Sequence, residues 1–263
     1  MIIVDKLCYL SKLRYVNPME KFFFAVITLV MCIVSRSIFM GLAVLVLNRI
    51  LTVRIGGISG KRYDRLMLIP LVFLLLSTLA IIVNFSHYPL DAFSIPVGSI
   101  FITGSRAGLM KAAQLIITAM ASVSCLYFLS LNTTMTDIIE VNRKLKCPEL
   151  IIEMMMLIYR YIFLMLDIAY NIMTSQNARL GNKDMRTSVA SFGAMGQVLF
   201  IRSMKRSRAL YDAMEARCYD GVINVLTENR AVSRKNVALI IICEAILLAY
   251  TIFIKVMNPG GFF

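Results

Sequence analysis

A chain of 263 residues with 59% hydrophobic residues, 16% charged residues and a mean hydropathy of +0.76 carries too little charge to cover a soluble protein of its size. The composition points to an all-α, polytopic helical membrane protein. The formal charge of +13 fits the basic bias of cytoplasmic membrane-protein loops more economically than a nucleic-acid partner, and none is expected.

Residues 1–21 are mixed and basic, with Lys6, Lys12, Arg14 and Lys21. Asp5 comes early and no small-residue cleavage site follows, so the order of a secretory signal is missing. Asn17-Pro18-Met19-Glu20 predicts a helix start, with Asn17 as cap and Pro18 in the first turn. The apolar runs Phe22–Ser35 and Ser37–Asn48 flank Arg36, and each is short for a full span. A hairpin of two thin helices is preferred to one long helix, because an arginine at mid-membrane is costly.

Residues 54–65 read as a basic, glycine-containing loop. Gly56 to Arg62 resembles a phosphate loop, but three residues separate Gly56 from Gly60 and Arg62 stands where Ser or Thr is required, so no nucleotide site is expected. Leu66–Val83 is uncharged and predicts a span despite Pro70. Residues 84–105, with Pro89, Asp91 and Pro96, predict a loop; Ala112–Thr136 predicts the strongest span. Gly104 and Gly108 have the spacing of a close helix contact.

Past Arg143, Lys144, Lys146 and Pro148, the run Met154–Thr174 is apolar but contains Arg160 and Asp167. A polar block, 175–236, precedes the final span Asn236–Ile254 with Glu244. The resulting division is membrane helices over 1–174, a polar region over 175–236, and a last membrane helix with its tail over 237–263.

The polar block holds 11 Lys/Arg against 5 Asp/Glu and is expected in the cytoplasm. The charge rule would also place 54–65 and 132–153 there, yet a crossing at 154–174 would separate 132–153 from the block. Either 154–174 does not cross fully, or 132–153 is an exception, or another apolar run does not span.

Phe200, Met204, Ser207, Tyr211 and Met214 recur at helical spacing, while Arg202, Arg206, Ala209, Ala213 and Arg217 fall on another face. Arg208 can pair with Asp212, and Gly221 is placed to end the helix. Such a helix suits a protein groove, where Met adapts and Arg makes a directed contact. It suits the bilayer surface equally, with its cations on anionic lipid.

Arg160, Asp167 and Glu244 are the intramembrane charges, read either as paired inside the bundle, in a structural ion pair near a helix end, or as the lining of a path. The six cysteines include no CxxC pair and His87 is the one histidine, so a metal site built by this chain is not expected. Met154-Met155-Met156 point in different directions around a helix and are read as packing. No nucleophile–base pair or carboxylate dyad stands out, which argues against an enzyme.

The segment Arg202–Gly221, centred on Met214-Glu215-Ala216-Arg217-Cys218-Tyr219-Asp220-Gly221, strongly resembles the signature of the transmembrane T component of energy-coupling factor transporters, in the cobalt-transport branch. Further matches follow in order: Asp5-Lys6, Val16-Asn17-Pro18-Met19-Glu20-Lys21, Leu131-Asn132-Thr133-Thr134, Tyr159-Arg160-Tyr161 leading to Asp167, and Gly196 to Ser203.

The resemblance implies a multi-pass scaffold in a bacterial or archaeal plasma membrane. It would join a substrate-binding membrane subunit, and a small auxiliary membrane subunit where one exists, to two cytoplasmic ATPases. ATP and Mg would sit on the ATPases, Co2+ would be the cargo, and this chain would hold no cofactor. Two cytoplasmic coupling helices, each ending in Ala-Arg-Gly, would dock in ATPase grooves. The second ending falls on Ala216-Arg217-Cys218, with Cys218 in place of glycine; the first maps to Ala178-Arg179-Leu180, where glycine arrives one place late as Gly181. Arg179 and Arg217 would meet acidic residues on the ATPases, with Arg202, Met204, Tyr211, Met214 and Glu215 on the docking helix. The rival readings are a self-contained secondary transporter or channel and, more distantly, a membrane enzyme acting on lipids.

Overall fold

The structure is a computed structural model and describes residues 3–35, 37–82, 84–86, 93–97, 100–104, 106–221, 223, 230 and 233–257. The elements are α1 (Ile3–Leu10), a 3-10 turn (Lys12–Tyr15), α2 (Pro18–Ser35), α3 (Ile38–Ile50), α4 (Gly60–Ile82), β1 (Asn84–Ser86), β2 (Phe93–Val97), β3 (Ile100–Gly104), α5 (Arg106–Asn132), α6 (Met135–Lys144), α7 (Glu149–Ala178), α8 (Met185–Glu215) and α9 (Arg234–Met257). They form two compact units: a bundle unit of residues 2–138 and 229–263, and a hairpin unit of residues 139–228.

In the bundle unit α5 packs against α1, α2, α3 and α4, while α9 packs on α2. Phe24 and Phe128 meet edge to face at 5.3 Å. Met40, Val44, Ala121 and Cys125 belong to a second cluster and are fully buried. Asn48, also buried, donates through Nδ2 to Ser124 Oγ at 2.9 Å, while its Oδ1 has no hydrogen-bond partner among the described residues. A Cβ on Gly41 would lie 2.6 Å from Ile117 Cγ2, so this glycine lets α3 approach α5 closely. The outer faces of the same helices expose Phe23, Val30, Phe39, Ile69 and Phe73, an apolar surface that suits lipid. Among the described residues three helices are long and apolar enough to cross a membrane: Pro18–Ser35, Ile38–Ile55 and Gly108–Asn132. The chain is a predominantly α-helical protein with the long apolar helices of a polytopic membrane protein.

Asn17 caps α2 as expected, accepting from the Met19 N–H at 3.0 Å, and Pro18 opens the helix. The apolar stretch 22–48 forms two helices, α2 and α3; Arg36, expected between them, lies outside the described residues. The loop expected over 54–65 is much shorter. A π-helical turn, Leu51–Ile55, prolongs α3, and α4 begins at Gly60, so Arg54 and Lys61 to Arg65 sit in helix ends.

The region expected to be a loop after α4 contains an antiparallel sheet in the order β1-β3-β2. Pro96 pairs with Phe101 on the edge strand β2, where its missing N–H is tolerated. His87, Pro89 and Asp91 lie outside the described residues. Gly104 closes β3 while Gly108 lies in α5, so the two do not form the close helix contact their spacing suggested.

Candidate functional site

The hairpin unit is dominated by α7 and α8, of 30 and 31 residues. Neither contains proline, and Met, Leu, Ala, Arg and Gln carry them at high helix propensity. The turn between them is tied on both sides: Ser191 Oγ donates to Gly181 O and Gln176 Nε2 donates to Ser191 O, both at 2.7 Å.

The two Ala-Arg endings share one backbone geometry. At the end of α7, Leu180 N donates to Asn177 O at 3.1 Å and Gly181 N to Gln176 O at 2.8 Å. At the end of α8, Cys218 N donates to Glu215 O at 2.9 Å and Tyr219 N to Met214 O at 3.1 Å. Each is a Schellman turn, in which the residue after the arginine takes a left-handed conformation: φ is 57° at Leu180 and 57° at Cys218.

The position where the resemblance implies glycine therefore takes the left-handed shape with Leu180 and Cys218 in it. Gly181 is small for another reason, since a Cβ there would lie 2.9 Å from both Gln176 O and Ser191 Oγ. Gly221, expected to end α8, comes after the turn; Cys218 ends the helix. Lys146, φ 59°, makes the same turn after α6.

Arg179 and Arg217, next to these turns, are exposed, as are Ala178, Glu215, Ala216 and Cys218. Phe200, Met204 and Tyr211 are exposed at 66%, 46% and 61%, so α8 presents an apolar stripe that the chain itself does not cover. Met214, predicted on that stripe, is half-buried, and Arg208 and Asp212, predicted to pair, are both exposed and form no ion pair.

Between α7 and α8 lies a cleft of about 550 Å³ whose lining includes Arg160, Tyr161 and Met165 of α7 and Arg202, Arg206 and Leu210 of α8. A second hollow of about 350 Å³ lies towards the turn and is lined by Gln176, Arg179 and Arg202 among others. Among the described residues no acidic side chain lines either hollow, while Arg160, Arg179, Arg202, Lys205 and Arg206 do, which favours a positive local potential. Sequence reasoning missed this cleft, because Arg160 sits in a run that reads as a membrane span.

Glu153 was also missed, as was its bond to Tyr219 of the signature segment. Glu153 is 5% exposed and accepts from the Tyr219 hydroxyl at 2.5 Å and from the Ile223 N–H, which holds the chain after α8 to the first turns of α7. The hydrogen bond to this carboxylate raises the Tyr219 pKa above its ordinary value.

Arg160 and Asp167 are exposed on α7, whereas Glu244 is buried in the bundle unit, 2.6 Å from Thr28 Oγ1. Thr28 Oγ1 also lies 2.7 Å from Phe24 O. The single Thr28 hydroxyl hydrogen is shared between two acceptors, the Glu244 carboxyl and Phe24 O. Among the described residues no group of three His, Cys, Asp or Glu could hold a metal ion.

The chain as a whole is similar in sequence to known proteins. The cobalt transport protein family CbiQ matches residues 11–228. An uncharacterized protein of Methanocaldococcus jannaschii, MJ1089, is 33% identical over 250 residues, covering 94% of this chain and 92% of the relative. The cobalt transport protein CbiQ of Salmonella typhimurium is 26% identical over 219 residues, covering 83% and 97%. A putative fused cobalt transport protein CbiMQ of Methanocorpusculum labreanum is 29% identical over 221 residues, 83% of this chain and 37% of that longer protein. The chain belongs to the CbiQ-like cobalt transport family, the T components of energy-coupling factor transporters.

Proposed function

We propose that this protein is the membrane scaffold of an ATP-driven importer, transmitting the motion of two cytoplasmic ATPases to a substrate-binding membrane subunit. The observation that carries the reading is the matched pair of helix ends. α7 and α8 finish in the same left-handed turn, and each turn adjoins one exposed arginine, Arg179 or Arg217. A pair of like endings fits a pair of like partners. The exposed stripe of Phe200, Met204 and Tyr211 supplies apolar contacts, and the arginines supply directed, charge-assisted ones.

The same geometry supports a cytoplasmic hairpin unit. α8 carries Arg202, Lys205, Arg206 and Arg208 within two turns and cannot lie in hydrocarbon. α7 is tied to α8 at the turn and matches its length of about 45 Å. Taking α7 out of the bilayer removes the conflict between the basic segments 132–153 and 175–236. Arg160 and Asp167 are then surface charges, and Glu244 alone of the three lies in the membrane. ATP and Mg belong to the ATPases; the cargo, Co2+ by the names of the relatives, belongs to the substrate-binding subunit. The chain acts as a lever and not as an enzyme.

The test is co-purification with the ATPases. Charge reversal by Arg217→Glu together with Arg179→Glu abolishes capture of both ATPases, while each single change weakens it. Retention of both ATPases by the double variant would sink the docking role.

A further inference from the structure

Two motifs singled out in the sequence have no place in the docking surface: Asn17-Pro18-Met19-Glu20-Lys21 and Leu131-Asn132-Thr133-Thr134. The structure brings them together with two further residues that carry no sequence signal, Arg230 and Ser233. Asn17 Nδ2 donates to Arg230 O at 2.8 Å, and Glu20 Oε1 accepts from Ser233 N at 3.0 Å. Lys21, 3% exposed, spends its ammonium on Asn132 O at 2.8 Å and Leu13 O at 3.1 Å. Thr134 caps α6 by accepting from the Asp137 N–H at 3.2 Å. The Asp137 carboxylate turns instead to Arg230, whose Nη1 lies 3.0 Å away with both side chains largely buried, and the same nitrogen donates to Arg14 O.

The sequence positions of this pair are informative. Asp137 stands two residues before the hairpin unit begins and Arg230 two residues after it ends. The ion pair thus joins the outgoing and returning chains within the bundle unit, where the motif at the head of α2 fixes both. A buried pair of this kind is a poor source of net stability, but removing one partner strands the other charge. It fits a role in holding one arrangement against another.

We infer that Asp137–Arg230 is a clasp that makes the hairpin unit move the bundle unit, so that ATPase motion is converted into transport rather than lost in the two connections. Asp137 and Arg230 are positioning residues in this account, which rests on the coupling role proposed above. Glu20, Asn17 and Lys21 seat the clasp.

The experiment uses the complex of this chain with its ATPases and substrate-binding subunit in proteoliposomes, and measures Co2+ taken up per ATP hydrolysed. Asp137→Ala and Arg230→Ala keep both ATPases bound and hydrolysis within about twofold, while uptake per ATP falls at least about tenfold. The double variant is no worse than either single one, and Asp137→Asn, which still accepts a hydrogen bond, recovers part of the ratio. An unchanged ratio in intact complexes overturns the clasp and leaves docking standing. A double defect equal to the product of the singles also overturns it. Where an alanine variant does not assemble, Asp137→Asn and Arg230→Lys are read by the same criteria.

If the unmodified chain captures no ATPases, the coupling role fails and the clasp is judged on the chain alone. Hydrogen exchange at the Asp137 and Ser233 amides then rises in Asp137→Ala and Arg230→Ala. Unchanged protection overturns the clasp.

Discussion

The Tyr219 hydroxyl donates to Glu153 across 66 residues of chain, at 2.5 Å, and closes the hairpin unit at the end opposite its turn. A buried carboxylate at the head of α7 holds the backbone that leaves α8, so the signature Ala216-Arg217-Cys218 is fastened on its downstream side. Glu153→Ala removes two acceptors from a buried site and is expected to cost about 2 kcal/mol. Thermal unfolding in detergent checks this, and Glu153→Gln should lose less.

The same bond gives a pH dependence. The pKa of Tyr219 is raised because its neutral form donates to Glu153. The stabilisation is therefore complete below the ordinary tyrosine value of about 10 and is lost as pH climbs through the raised value. Melting temperatures of the unmodified chain and Tyr219→Phe should differ at neutral pH and converge in strong alkali. A constant difference across that range rules out the linkage.

The left-handed residues offer a gain of stability. A non-glycine residue in this conformation costs roughly 1 kcal/mol relative to glycine, so Leu180→Gly and Cys218→Gly should each raise stability by about that amount. Neither replaces an arginine, so ATPase capture should be retained. Cys218→Val, β-branched at the same φ, should lower the melting temperature.

Gly41 is expected to tolerate nothing larger. A methyl group there meets Ile117 Cγ2 at 2.6 Å, and Gly41→Ala should cost about 1–3 kcal/mol by forcing α3 from α5. Adding Ile117→Ala should return part of the loss. Additive losses in the double variant would show that the two positions do not share the contact.

Glu244→Gln should be nearly silent in uptake and stability, because the amide oxygen can accept from Thr28 as the carboxyl oxygen does. Glu244→Leu should be worse, since it leaves Thr28 with one partner fewer. A large uptake defect in Glu244→Gln with normal stability would mean that this carboxyl must ionise during transport.

Much of the architecture is legible in the residues. Asn17-Pro18 marks a helix start through cap chemistry that needs no tertiary partner, and the two apolar runs around Arg36 do form two helices. The length and polarity of α8 follow from its composition. α7 reads differently, because its apolar run is long enough to span and only its pairing with α8 marks it as half of a hairpin. The strands after α4 hide behind proline and aspartate, which signal turns locally while the ladder forms between residues as far apart as Asn84 and Thr103. The left-handed turns at Leu180 and Cys218 are invisible to propensity, which assigns that conformation to glycine. The clasp is hidden for a related reason: Asp137 and Arg230 are 93 residues apart and share no pattern.

The paired helix ends also bear on how such proteins are recognised. Written in residue letters, Ala178-Arg179-Leu180 and Ala216-Arg217-Cys218 are two misspellings of one word. Written in torsion angles they are the same word, spoken twice at 57°. A comparison keyed to the left-handed turn beside an arginine, rather than to a glycine, counts both helix ends as matches where the letters count two departures.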